Sequence, residues 1–99
     1  MRRLAPFLVL LIPLAACDTA GPRYRGIAPV TVTAGGHVYD VYLRGQDVQI
    51  LRTDMVWLPN RDAVFEGAAV AVRLATGCAL REGSLKGDVA LMNGRVTCG

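Results

Sequence analysis

Few side chains in this chain could do chemistry: three cysteines, Cys17, Cys78 and Cys98, one histidine, His37, one serine, Ser84, and the aspartates Asp40, Asp47 and Asp54 at sevenfold spacing. A cysteine can act as nucleophile, metal ligand, disulfide partner or acyl acceptor. A zinc site would call for CxxC pairs or several histidines, and neither is present. His37 follows Gly35-Gly36, where a polar turn or strand residue is the ordinary reading. To act as a base it would need a positioned partner. Ser84 lies in a polar stretch without a nucleophile motif. The aspartate spacing lacks the ligand density of a calcium loop, so these three read as solvated strand and turn residues. The residues therefore give no catalytic set, no metal site and no cofactor.

The cysteines acquire meaning from the segment before them. Arg2 and Arg3 precede an apolar run, Leu4 to Ile12, and the run ends in Leu14-Ala15-Ala16-Cys17. Charge, apolar stretch and small residues in that order are the layout of a secretory signal peptide. The run is shorter than the roughly 20 apolar residues of a spanning helix, and Pro6 and Pro13 each remove a backbone donor. Ordinary secretion with cleavage nearby is the competing reading, but Leu14 occupies the −3 position, so no clean Ala-x-Ala site precedes Cys17.

Leu14-Ala15-Ala16-Cys17 resembles the lipobox of bacterial prolipoproteins. The resemblance implies that the Cys17 thiol receives a diacylglyceryl group and that a peptidase cuts between Ala16 and Cys17. It implies a periplasm-facing protein held in the cell envelope by lipid. Asp18 resembles the signal that retains lipoproteins of enteric bacteria at the inner membrane, which favours that membrane slightly. If lipid consumes Cys17, Cys78 and Cys98 remain as a pair in an oxidising compartment, where a disulfide persists. Ala75-Thr76-Gly77-Cys78, with Gly87-Asp88 and Cys98, is also similar to small uncharacterised exported proteins of proteobacteria. That likeness implies a shared fold and no known activity.

Composition bounds the rest. The formal charge of the 99 residues is +3, from 11 basic and 8 acidic side chains. Removing Arg2 and Arg3 leaves 9 basic residues against 8 acidic, so the excess falls to +1. Nucleic-acid binding, which uses a clustered basic face, is not indicated. Residues 1–16 read as signal peptide, 17–28 as a flexible tether and 29–99 as one small domain. Such a small core gains from a covalent staple.

The tether contains Gly21, Pro22 and Gly26 and no apolar periodicity. Arg23 and Arg25 flank Tyr24; they suit either anionic headgroups or a solvated linker. Three strands follow. The first covers Pro29 to Thr33, and Gly35-Gly36 signals a hairpin turn. The second covers His37 to Arg44, with Tyr39, Val41 and Leu43 on one face and Val38, Asp40, Tyr42 and Arg44 on the other. After Gly45-Gln46-Asp47, Val48 to Asp54 continues an antiparallel meander. Asn60 is an N-cap candidate for a helix from Arg61 to about Thr76, with Asp62 in its first turn. Val64, Ala68, Ala71, Val72 and Ala75 form its apolar stripe, and Phe65 and Ala69 widen it. Gly67 costs helix stability, and close packing is the reason to place it there. Gly77 supplies a left-handed C-terminal turn. Cys78 to Arg81 reads as a short strand, and Asn93-Gly94 as the turn of a hairpin between Val89–Met92 and Arg95–Cys98. The expected fold class is α+β: a small antiparallel sheet, meander plus C-terminal hairpin, packed by one helix and closed by a disulfide.

Tyr39, Tyr42 and Trp57 are large for such a domain. One or two should fill the core, and an exposed one marks a partner surface. Tyr42, opposite the core face, is the candidate. The expected function is that of a lipid-anchored envelope protein that binds or supports another envelope component. Its partners would be the membrane, through the lipid, and an envelope protein. A small-ligand or inhibitor module is the alternative, and an enzyme is less expected. A ligand site usually needs at least ~300 Å³, for which 83 residues leave little room.

Overall fold

A computed structural model describes residues 21–99. The expected signal peptide, the expected cleavage between Ala16 and Cys17, and the expected lipid attachment at Cys17 lie outside the described residues.

The domain is α+β. Strands β1 (Val30–Ala34), β2 (His37–Arg44) and β3 (Asp47–Arg52) form the antiparallel meander. Helix α1 (Arg61–Thr76) follows, and then β4 (Ala79–Leu80), β5 (Lys86–Gly87) and β6 (Leu91–Thr97). The sheet order is β1-β2-β3-β6-β4, with β5 also paired to β6. Two-residue turns set the meander register. Gly35 and Gly36 both take positive φ, 59° and 81°, as the favoured hairpin turns require, and Gly45 at 62° serves the second.

Alternation along β2 and β3 puts Tyr39, Val41, Val48 and Ile50 on the helix side, where they meet Val64, Ala68, Ala71 and Val72 from α1. The helix has the bounds that its end signals give. Asn60 Oδ1 accepts the Ala63 N–H at 3.0 Å, and Gly77, at φ 75°, donates its N–H to Arg73 O. Gly67 lets the helix lie directly on β2. A Cβ there would overlap the Tyr39 hydroxyl and approach Ala34 O to 3.1 Å. That hydroxyl donates to Val64 O at 2.8 Å, which joins strand to helix inside the core.

Cys78 follows the helix and is disulfide-bonded to Cys98 beyond β6, with Cα atoms 4.5 Å apart. The bond therefore ties the end of α1 to the last strand beside the β4–β6 pairing.

Two expectations are corrected here. Asn93-Gly94 is not a turn but the middle of β6, opposite Gln49 and Val48 of β3. The C-terminal hairpin turns at 88–90 instead, where Asp88 Oδ1 accepts the N–H groups of Ala90 and Leu91. Gly94 is needed for closeness: a Cβ there would lie 2.9 Å from Leu80 Cδ2 and 3.4 Å from Leu85 Cδ1. The tether expectation is corrected from Gly21 onward. Pro22–Tyr24 form a single 3-10 turn docked on the sheet face opposite α1. Gly21 N–H donates to Gln49 Oε1 at 2.8 Å, Arg23 pairs with Asp47 at 2.6 Å, and Arg44 donates to Arg23 O at 2.9 Å. Tyr24 is buried there.

Candidate functional site

Tyr42 does lie on the face away from the helix, but it is only 9% exposed. Tyr24 covers it, the two rings meeting edge to face with centroids 6.3 Å apart. An exposed partner patch at Tyr42 is therefore withdrawn, because the residues read as a free tether fold over it. Ser84 is structural: its hydroxyl donates to Arg81 O at 2.8 Å and accepts the Arg95 N–H at 3.1 Å. Asp40 accepts from Thr31 Oγ1, and Asp47 pairs with Arg23 and, at 3.4 Å, with Arg95. Among the described residues no group of three or more His, Cys, Asp or Glu side chains could hold a metal.

Asp54 is different. The register that pairs Tyr39 with Arg52 brings His37 opposite Asp54 two residues further on. His37 Nδ1 lies 3.0 Å from Asp54 Oδ2, which also accepts the Val38 N–H at 3.0 Å. Asp54 Oδ1 accepts from Arg52 Nη1 at 2.5 Å and from the Val56 N–H at 3.0 Å. Arg52 Nε donates in turn to Val89 O at 2.8 Å. Both the histidine and the arginine are nearly enclosed. Burial by itself would raise the Asp54 pKa. The two backbone N–H groups, the His37 hydrogen bond and the Arg52 charge outweigh it and hold the carboxyl at about 2. The carboxylate is thus ionised at neutral pH and fully occupied by donors. The only serine is engaged elsewhere, so this cluster has a histidine and its orienting acid but no hydroxyl nucleophile from that residue. The positioned partner that His37 lacked in the sequence reading exists. What it supports is structure at the base of a loop.

That loop is Met55-Val56-Trp57-Leu58-Pro59. Val56 N–H is fixed by Asp54, and the chain enters α1 after Asn60. Between them the side chains point away from the domain: Met55 is 94% exposed, Trp57 86%, Leu58 85% and Val56 45%. Leu58 takes φ 54°, the left-handed region that a bulky residue seldom adopts. Strain of this kind costs on the order of 1–3 kcal/mol and persists where the surroundings impose it. Isolated exposed apolar residues need no explanation, but four in succession, including the only tryptophan, form a continuous exposed apolar patch. The sequence reading noted Trp57 without placing it. The signal was available: Met55 to Pro59 contains no polar residue to solvate and no β-alternation to bury it.

A second feature lies on the opposite sheet face. An open groove of about 420 Å³ is lined among others by Arg23, Tyr24, Asp47, Gln49, Lys86 and Asn93. Gln49 Nε2 donates to Asn93 Oδ1 at 2.8 Å across its floor. The domain thus holds more concave volume than its length suggested.

Compared with known families, curated proteins and solved structures, the chain matches no family, no curated sequence and no solved fold.

Proposed function

We propose that this is a small cell-envelope protein, anchored by lipid on Cys17 and facing the periplasm. It serves as a binding accessory that docks on another envelope component through the Met55–Leu58 loop. The exposed apolar loop on its nearly enclosed ionic base carries the reading. A domain this small has little to gain from displaying Trp57 to water unless something covers it. The disulfide suits an oxidising compartment. The lipobox-like Leu14-Ala15-Ala16-Cys17 supplies the anchor.

The intact mass of protein taken from washed membranes without reductant tests the anchor and the compartment together. The reading requires residues 17–99 plus a diacylglyceryl modification, less the two hydrogens of the Cys78–Cys98 bond. An unmodified mass removes the anchor.

The groove beside Gln49 favours a second reading, a binder of small anionic molecules held by Arg23, Lys86 and Arg95. Asp47 already neutralises two of those cations, which places this reading second. A reproducible ligand-induced rise in melting temperature would move it first.

A further inference from the structure

We infer that the envelope component met by the Met55–Leu58 loop is the bilayer itself, and that Trp57 seats at the boundary between headgroups and acyl chains. This rests on the proposed lipid anchor and names the partner of the same loop.

Three observations select a bilayer over a protein. The first is shape. The loop is a convex tip of four residues, whereas a specific protein interface uses about 20–30 residues a side. A deformable interface accepts a few projecting side chains without a matching cleft, and tryptophan is enriched at that depth.

The second is charge. From Thr53 to Asn60 the only ionisable side chain is Asp54, and it is occupied by Arg52, His37 and two backbone N–H groups. The tip therefore presents no free anion to a negatively charged membrane surface. Its root is fixed, so it meets the membrane as a shaped wedge. The remaining backbone groups of the tip need water or headgroups, so the loop stops at the interface and does not enter the hydrocarbon core.

The third is reach. Cys17 stands four residues before Gly21, at most about 14 Å of extended chain. Gly21 is bonded to Gln49, and Gln49 precedes Asp54 by five residues, at most about 17 Å along the strand direction. With the Gly21–Gln49 contact between these two stretches, a lipid on Cys17 thus keeps Asp54, at the root of the loop, within about 40 Å of the membrane surface. Docking then needs reorientation of the domain and no long search.

Trp57 reports on its own position, because it is the only tryptophan in the chain. The test uses the full-length product purified from membranes and reconstituted in vesicles of phosphatidylethanolamine and phosphatidylglycerol. Flotation records attachment. Emission is quenched from the lipid side by brominated acyl chains and from the water side by iodide. The inference requires a blue-shifted Trp57 emission, quenched by brominated lipid and protected from iodide. A Met55→Ser, Leu58→Asn double variant should lose most of the lipid quenching and still float; asparagine tolerates the left-handed backbone at 58. A protein that floats with Trp57 open to iodide and untouched by brominated lipid overturns the inference and leaves the anchor standing. Protection from both quenchers also overturns it, since a protein surface then covers the loop. An unlipidated protein whose Trp57 is still quenched by brominated lipid removes the anchor but supports the loop. An unlipidated protein that neither floats nor shows lipid quenching removes both.

Discussion

Asp54 accepts the backbone N–H of Val56 at 3.0 Å, so the carboxylate that neutralises a nearly enclosed arginine also fixes the root of an exposed apolar loop. Interior electrostatics and the shape of the exposed loop meet in one side chain. Their consequences separate by substitution.

Asp54→Ala should destabilise the domain by about 3 kcal/mol, because it leaves the enclosed Arg52 without its counter-charge and Val38 and Val56 without their acceptor. Arg52→Met, which removes one charge and keeps a long apolar stem, should cost less. Chemical denaturation of both variants measures the difference.

Acid should act through the same carboxyl. Its folded pKa of about 2 lies below the ordinary 3.8, so its contribution is complete above about pH 4. It is lost as pH falls through the folded value, on the order of 2 kcal/mol in total. Stability measured from pH 5 to pH 1.5 should fall in wild type and stay flatter over that window in Asp54→Asn.

Tyr42→Ala should cost about 2 kcal/mol, since it empties the space under Tyr24. A variant with unchanged melting temperature would mean that residues 21–24 do not cover that face in solution.

Gly67→Ala should destabilise by about 1–3 kcal/mol although alanine is the better helix former by about 1 kcal/mol, because the methyl would overlap the Tyr39 hydroxyl. Gly67→Ala combined with Tyr39→Phe should recover part of the loss, which a double-mutant cycle would detect.

Reduction of Cys78–Cys98, or its replacement by serines, should lower stability by about 3 kcal/mol, on the loop-closure entropy of a 20-residue separation. For a domain of this size that is a fall in melting temperature of at least about 10 °C.

What was legible in the sequence followed the range of the interactions. The bounds of α1 were readable because Asn60 and Gly77 act within one turn of their own positions. Strand β2 was readable because its alternation is local and Gly35-Gly36 sets its start. Asn93-Gly94 misled because the dipeptide has the strongest short-range turn preference, whereas its role is set by Gln49, 44 positions away, and by Leu80 and Leu85 packed over Gly94. Tyr42 was placed on the correct face, but its cover came from Tyr24, 18 positions earlier in the stretch that read as linker. The His37–Asp54 contact was implicit in the register of the meander; extending the Tyr39–Arg52 pair by two residues reaches it. The outward turn of Met55 to Leu58 was not, because composition gives apolar character without saying which side of the chain is already filled.

Docking through the Met55–Leu58 loop can be read by cross-linking in intact cells. A photoreactive phenylalanine analogue in place of Met55 should give a strong, reproducible adduct with an envelope component. The same analogue in place of Glu82, exposed in the turn after β4, should give little. Equal labelling from the two positions, or none from position 55, would contradict the account.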